Sequence, residues 1–166
     1  MGKKTLFPLE AKFNRVLGII DLLIEHDGVL SLSKLTHLSG EHVDILLPQI
    51  DASKMLKLVR VEKDNVHLLA LGKKLYEGDA AAFGSVSSLL SKIEPFSTAV
   101  HLSNAKGSFD IDELLDELLA NGISFYANPE ENRKMVIGAL MQWAIHFSIL
   151  DYSGSDKLWL REKSQK

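Results

Sequence analysis

The chain has no cysteine among its 166 residues. That absence excludes a disulfide framework, thiolate zinc sites and a cysteine nucleophile, and it fits a reducing compartment. Prolines number only 4 and aromatic residues make up 7% of the sequence. No long apolar run occurs either. The most apolar stretch, Val16 to Ile24, is interrupted by Asp21 and flanked by Arg15 and Glu25. It is too short and too amphipathic to span a bilayer, and the basic start Met1-Gly2-Lys3-Lys4 leads into no signal-type apolar segment. A cytoplasmic protein is expected. Excess positive charge is also missing, since 19 basic residues face 22 acidic ones for a net charge of −3. Residues 1–79 carry 11 of each sign, whereas residues 80–166 carry 8 basic against 11 acidic. Neither half has the overall basic balance that phosphate-backbone binding favours.

What remains is 46% hydrophobic and 25% charged, a globular composition. Phe13, Val16, Leu17, Ile20, Leu23 and Ile24 recur at helical spacing, and Asp27-Gly28 ends that helix. Val29-Leu30-Ser31 reads as an extended link. Ser31 or Ser33 caps a short second helix that Gly40 stops. A third helix follows from Glu41, with Val43, Leu46, Leu47 and Ile50 as its apolar side. Pro48 falls inside it and predicts a kink or a late start, because proline lacks an N–H and clashes with the preceding turn. Leu58–Glu62 and Val66–Leu69 form a hairpin about Lys63-Asp64-Asn65, with Val59 and Val61 on one face and Arg60 and His67 on the other. Leu71 to Glu77 closes this half as a helix.

A similar order follows. Asp79 caps a helix from Ala80, and Pro95 breaks the pattern before Phe96 resumes it. Asp110, with Glu113 three residues on, predicts a capping box. Asn128-Pro129-Glu130-Glu131 is a second helix start, with proline at the first helical position and acids against the macrodipole. Ile149 to Tyr152 and Lys157 to Leu160 flank Ser153-Gly154-Ser155-Asp156, a second hairpin. The expected fold is mainly α (α+β). It consists of tandem winged-helix-like units over residues 1–79 and 80–166, each made of helices and a C-terminal β-hairpin wing.

Three stretches carry a family resemblance. They are Ile45-Leu46-Leu47-Pro48-Gln49-Ile50 with Met55-Leu56-Lys57-Leu58, then Val66-His67-Leu68-Leu69-Ala70-Leu71-Gly72-Lys73-Lys74, and Gln142-Trp143-Ala144 through Leu150-Asp151-Tyr152 to Leu158-Trp159-Leu160. Together they resemble the C-terminal AAA-associated domain. That family follows the ATP-binding subunit of some nitrate/sulfonate-type ABC transporters and also occurs as free-standing archaeal proteins. The family tends to have Thr-Pro where this chain has Leu69-Ala70, so a helix cap is lost here. The resemblance implies an accessory or regulatory module and supplies no catalytic residue.

The residues themselves point the same way. Gly72-Lys73-Lys74 looks like the end of a phosphate-binding loop, but position 67 is His and position 74 is Lys where that loop needs Gly and Ser or Thr. No pair among His26, His37, His42, His67, His101 and His146 has metal-ligand helical spacing with an intervening Glu. Asp110, Asp112 and Glu113 are explained by a helix start, and Asp116 and Glu117 by a solvated face. No Gly-x-Ser-x-Gly elbow occurs. The expectation is a non-enzyme without metal or cofactor. Two roles compete. One is a protein-interaction module, with an ABC-type ATPase or a second copy as partner and Phe125, Tyr126, Tyr152 and Trp159 as interface candidates. The other is a DNA-binding regulator that uses the first wing through Lys57, Arg60, Lys63, Lys73 and Lys74. Against the second stands the third helix, expected to display Glu41, Asp44, Gln49, Asp51 and Lys54, a net acidic face.

Overall fold

The computed structural model describes residues 5–154 and 158–161, and the chain forms two units: Glu10–Val86, and Ser87–Lys166 together with Met1–Leu9. The fold is mainly helical, α+β, with eight α-helices and two three-stranded antiparallel sheets among the described residues.

In the first unit, α1 (Phe13–Glu25) buries Val16, Ile19, Ile20 and Leu23 at 3-4 spacing. Asp27 (φ 61°) and Gly28 (φ 86°) are both left-handed and reverse the chain, and the Gly28 N–H donates to the Leu23 carbonyl at 2.7 Å. The extended link is a strand, β1 (Val29–Ser31). Ser31 Oγ then accepts the Lys34 N–H at 3.1 Å and starts α2 (Leu32–Ser39). Gly40 ends α2 with φ 70°.

The third helix, α3, spans Val43–Met55, with His42 Nδ1 accepting the Asp44 N–H at 3.1 Å as its cap. It therefore starts well before Pro48 and runs through it. The hairpin is β2 (Val59–Glu62) and β3 (Asn65–Leu68), joined by the two left-handed residues Lys63 (φ 50°) and Asp64 (φ 65°), the backbone of a type I′ turn. α4 (Ala70–Tyr76) closes the unit, and the sheet order is β1-β3-β2.

α5 (Ala80–Leu90), capped by Asp79 Oδ2 on the Ala82 N–H at 2.9 Å, contains the boundary between the units. In the second unit Leu6 bridges to Glu94, and this brings Phe7 against Phe96 and Trp143, edge-to-face, at centroid distances of 5.3 and 4.9 Å. α6 (Phe96–Lys106) leads to β4 (Ser108–Phe109), then α7 (Ile111–Ala120) with the full Asp110/Glu113 capping box. α8 (Pro129–Ala139), capped by Asn128 Oδ1, passes into a π-helical turn, Leu140–Ala144, that carries the fully buried Trp143. β5 (Leu150–Ser153) and β6 (Leu158–Arg161) complete a sheet of order β4-β6-β5. The tip of that hairpin, residues 155–157, lies outside the described residues. Both units thus run helix, short strand, helix, helix, hairpin, and in both the short strand pairs with the second strand of the hairpin.

Candidate functional site

The first wing carries the basic candidates. Lys57 is the left-handed residue (φ 59°) that ends α3. Its N–H donates to the Lys54 carbonyl at 3.1 Å, and the Leu58 N–H donates to that of Ser53 at 2.9 Å, which is the Schellman arrangement. Arg60 pairs with His67 in register on the outer face, opposite to the buried Val59 and Val66, and its guanidinium is held by Glu62. Lys63 sits exposed at the hairpin tip. Lys73 and Lys74 are exposed on α4, and Gly72 just before them lies against Leu58. Lys57, Lys73 and Lys74 therefore gather at the base of the wing. Lys63 stands on the order of 20 Å away along the strand. Lys57, Lys63, Lys73 and Lys74 make no ion pair among the described residues.

The exposed side of α3 differs from the expected one in two ways. Gln49 is buried, only 2% exposed. Its Oε1 accepts the Lys12 N–H at 2.7 Å and its Nε2 donates to the Ile45 carbonyl at 3.1 Å. Leu47, expected in the core, is 41% exposed, as is Ile45. The buried set is Leu46, Gln49, Ile50, Ala52 and Ser53, so solvent meets Asp44, Ile45, Leu47, Asp51 and Lys54. Nearby in the same unit, an apolar cleft of about 330 Å³ is lined by Ile19, Leu22, Leu38 and Leu46, beside the 2.8 Å ion pair of Arg15 and Glu41.

In the second unit Phe125 and Tyr126 are half-buried on the link between α7 and α8. Both their N–H groups donate to Asn132 Oδ1, at 3.1 and 3.2 Å. Tyr152 is half-buried on β5, with its ring 4.6 Å from that of Trp159. Trp159 is only 2% exposed, so it supports this surface from beneath. Asn132 was not singled out by sequence. Its one signal is an amide at a buried helical position four residues beyond the Asn128 cap.

One polar cleft has the composition of acid–base chemistry, about 300 Å³ lined by Glu94, Ser97, Thr98, His101, Glu117 and Asn121. Glu94 is buried, and its carboxylate accepts both the N–H and the hydroxyl of Thr98 at 2.8–2.9 Å. Those oxygens are thus occupied in starting α6. Among the acids of the α7 start, Asp112 is paired with Arg133 and Glu113 with Lys106. No group of three or more His, Asp or Glu residues is placed to hold a metal ion among the described residues. No helix among them is long and apolar enough to cross a membrane.

The family model of the C-terminal AAA-associated domain matches residues 33–153, which takes in α3, both hairpins' first strands and the link carrying Phe125 and Tyr126. No curated protein and no solved structure matches the chain.

Proposed function

The chain belongs to the C-terminal AAA-associated domain family, and on that premise we propose that it is a non-catalytic module of two winged-helix units that works by protein–protein contact. The partner in this reading is an ABC-type ATPase, which places the protein in the cytoplasm. The repeated order of helix, short strand, helix, helix and hairpin supports the winged-helix reading of each unit.

The observation that carries the interaction role is the solvent face of α3. In a winged helix that binds DNA, this helix enters the major groove and needs bases or neutral donors. Here it offers two carboxylates, Asp44 and Asp51, against one base, Lys54, and two aliphatic side chains, Ile45 and Leu47, each 41% exposed. Carboxylates are repelled by phosphate, and the aliphatic groups gain only by being buried against another apolar surface. The adjacent cleft between α1 and α2–α3 would receive one aliphatic side chain of the partner.

Titration of the purified chain into a purified ABC-type ATP-binding subunit tests the reading. Saturable binding that Ile45→Asp with Leu47→Asp weakens at least about tenfold, equivalent to ~1.4 kcal/mol, is expected. Full binding by that double variant, or none by the natural chain, overturns it.

A second reading, duplex DNA on the first wing, is favoured by Lys57 and Lys63. Both hold left-handed backbone, where glycine or asparagine is less strained, and neither makes an ion pair among the described residues. A band shift at about 50 mM salt, where phosphate contacts are strong, decides it. A shift abolished by Lys57→Ala with Lys63→Ala replaces the interaction reading with the DNA one.

A further inference from the structure

β2 is an edge strand, since the sheet order is β1-β3-β2. Its backbone orientation follows from the ladder. The Leu69 N–H donates to the Leu58 carbonyl at 2.9 Å, and the register pairs Val59 with Leu68, Arg60 with His67 and Val61 with Val66. An antiparallel ladder alternates bonded and non-bonded pairs. The Leu58 C=O and both the N–H and C=O of Arg60 and Glu62 therefore face β3, and Val59 and Val61 turn theirs toward the open edge. The Val61 side chain is 40% exposed. Arg60 and Glu62 flank it, both exposed and of opposite charge, and they pair with each other within the chain.

We propose that β2 is a self-association edge, pairing antiparallel with β2 of a second copy about a twofold axis at Val61. In that register the two Val61 residues form a bonded pair and exchange two hydrogen bonds. Arg60 then stands opposite Glu62 of the second copy, and Glu62 opposite Arg60 of the second copy. These are non-bonded pairs, whose Cα atoms are about 4.5 Å apart, so the side chains meet closely. The charges also select this register. The two neighbouring registers that the outward N–H and C=O groups allow put Arg60 opposite Arg60 or Glu62 opposite Glu62. Like charges directly opposite are destabilising, and opposite charges are favourable. An edge guarded only against aggregation would carry one sign, which repels its own copy. This edge carries two signs spaced for self-complementarity, and the symmetric contact is the isologous kind expected of a homodimer. The proposal uses neither α3 nor the apolar cleft, so it stands apart from the ATPase reading.

Sedimentation velocity at rising concentration tests it. β2 is only four residues long, so the dimer should be weak and its mass should climb from 18.4 kDa toward twice that value. Arg60→Glu alone and Glu62→Arg alone should each be monomeric, because each strand then carries one sign. An equimolar mixture of those two variants should associate again, as should the double variant Arg60→Glu/Glu62→Arg. Raising salt should weaken the natural dimer. Circular dichroism checks that each variant is folded, which surface substitutions permit. Ile45→Asp/Leu47→Asp should leave the dimer intact even if it abolishes ATPase binding. A natural chain that stays monomeric to about 1 mM overturns the proposal. So does a dimer that survives both single variants, because its contact would then lie elsewhere.

Discussion

Gly72 stands so close to Leu58 that a Cβ on it would lie 2.4 Å from the Leu58 carbonyl oxygen and 2.9 Å from Leu68 Cδ1. α4 crosses the base of the hairpin at this point, and only a residue without a side chain lets the two backbones meet. The glycine of the Leu-Gly-Lys-Lys stretch is therefore a packing residue, which explains why it occurs without the other parts of a phosphate loop. Gly72→Ala should lose about 1–3 kcal/mol in urea unfolding, the range for overpacking a filled site. The gain of about 1 kcal/mol from replacing a helical glycine is too small to reverse that. Gly84 in α5 is the control, because nothing lies within 4 Å of a Cβ there. Gly84→Ala should stabilise by about 0.5–1 kcal/mol.

Lys57 closes α3 in a position that glycine fills at lower cost. A left-handed residue with a Cβ costs roughly 1–2 kcal/mol, partly offset by the greater entropy that glycine has in the unfolded chain. Lys57→Gly should therefore stabilise the chain by about 1 kcal/mol, read as a higher midpoint at unchanged m-value. The same variant removes one unpaired positive charge from the base of the wing. If the DNA reading holds, it weakens binding while raising stability.

How far the sequence could be read depended on which signal carried each element. Local chemistry was legible: the Ser31, Asp79, Asp110 and Asn128 caps and the Lys63–Asp64 turn lie where their residue types require. Pairing over long separations was not. β1 and β4 are three and two residues long, and such segments become strands only because β3 and β6 offer edges far along the chain. The orientation of α3 failed for a specific reason. Val43, Leu46, Leu47 and Ile50 share the 3-4 spacing of Leu46, Gln49, Ile50 and Ser53, and hydropathy favours the first set. The structure uses the second, because Gln49 and Ser53 find partners inside, the Lys12 N–H and the Gln49 carbonyl. The outward face of α3, on which the interaction reading rests, was thus invisible to periodicity. Trp159 lies on a strand, where an aromatic residue can face the core or the solvent, and the structure puts it on the buried side.

His146 and Tyr76 titrate away from their ordinary range, and they act on stability with opposite sign. Desolvation lowers His146, whose ring packs edge-on against Phe147 with centroids 4.9 Å apart. A histidine depressed in the folded state contributes stability above its ordinary value of 6.5, and that contribution is lost as pH falls below it. Tyr76 is raised, first by its hydrogen bond to Asp21 and then by desolvation. Its contribution is present below its ordinary value of 10.0 and is lost as pH rises through the raised one. His146→Gln should flatten the decline of thermal midpoint on the acid side. Tyr76→Phe should flatten it on the alkaline side only. Thermal scans across pH, with phenolate absorbance as a second readout for Tyr76, check both.

Asn132 holds the link on which Phe125 and Tyr126 are displayed. Its side-chain oxygen accepts two backbone N–H groups while the residue itself is only 9% exposed. Asn132→Leu removes that acceptor and leaves both donors without it in a part-buried setting, which costs about 1–3 kcal/mol. Asn132→Asp keeps an oxygen in place and should cost less. Amide hydrogen exchange separates a local effect from a global one. In Asn132→Leu the Phe125 and Tyr126 amides should exchange faster by more than the loss of global stability accounts for, while those of α7 follow the global change. Uniform acceleration across the second unit would mean that the amide supports the core as a whole and not this link. If Phe125 and Tyr126 contribute to a partner surface, the loosened link should also weaken binding in Asn132→Leu and not in Asn132→Asp.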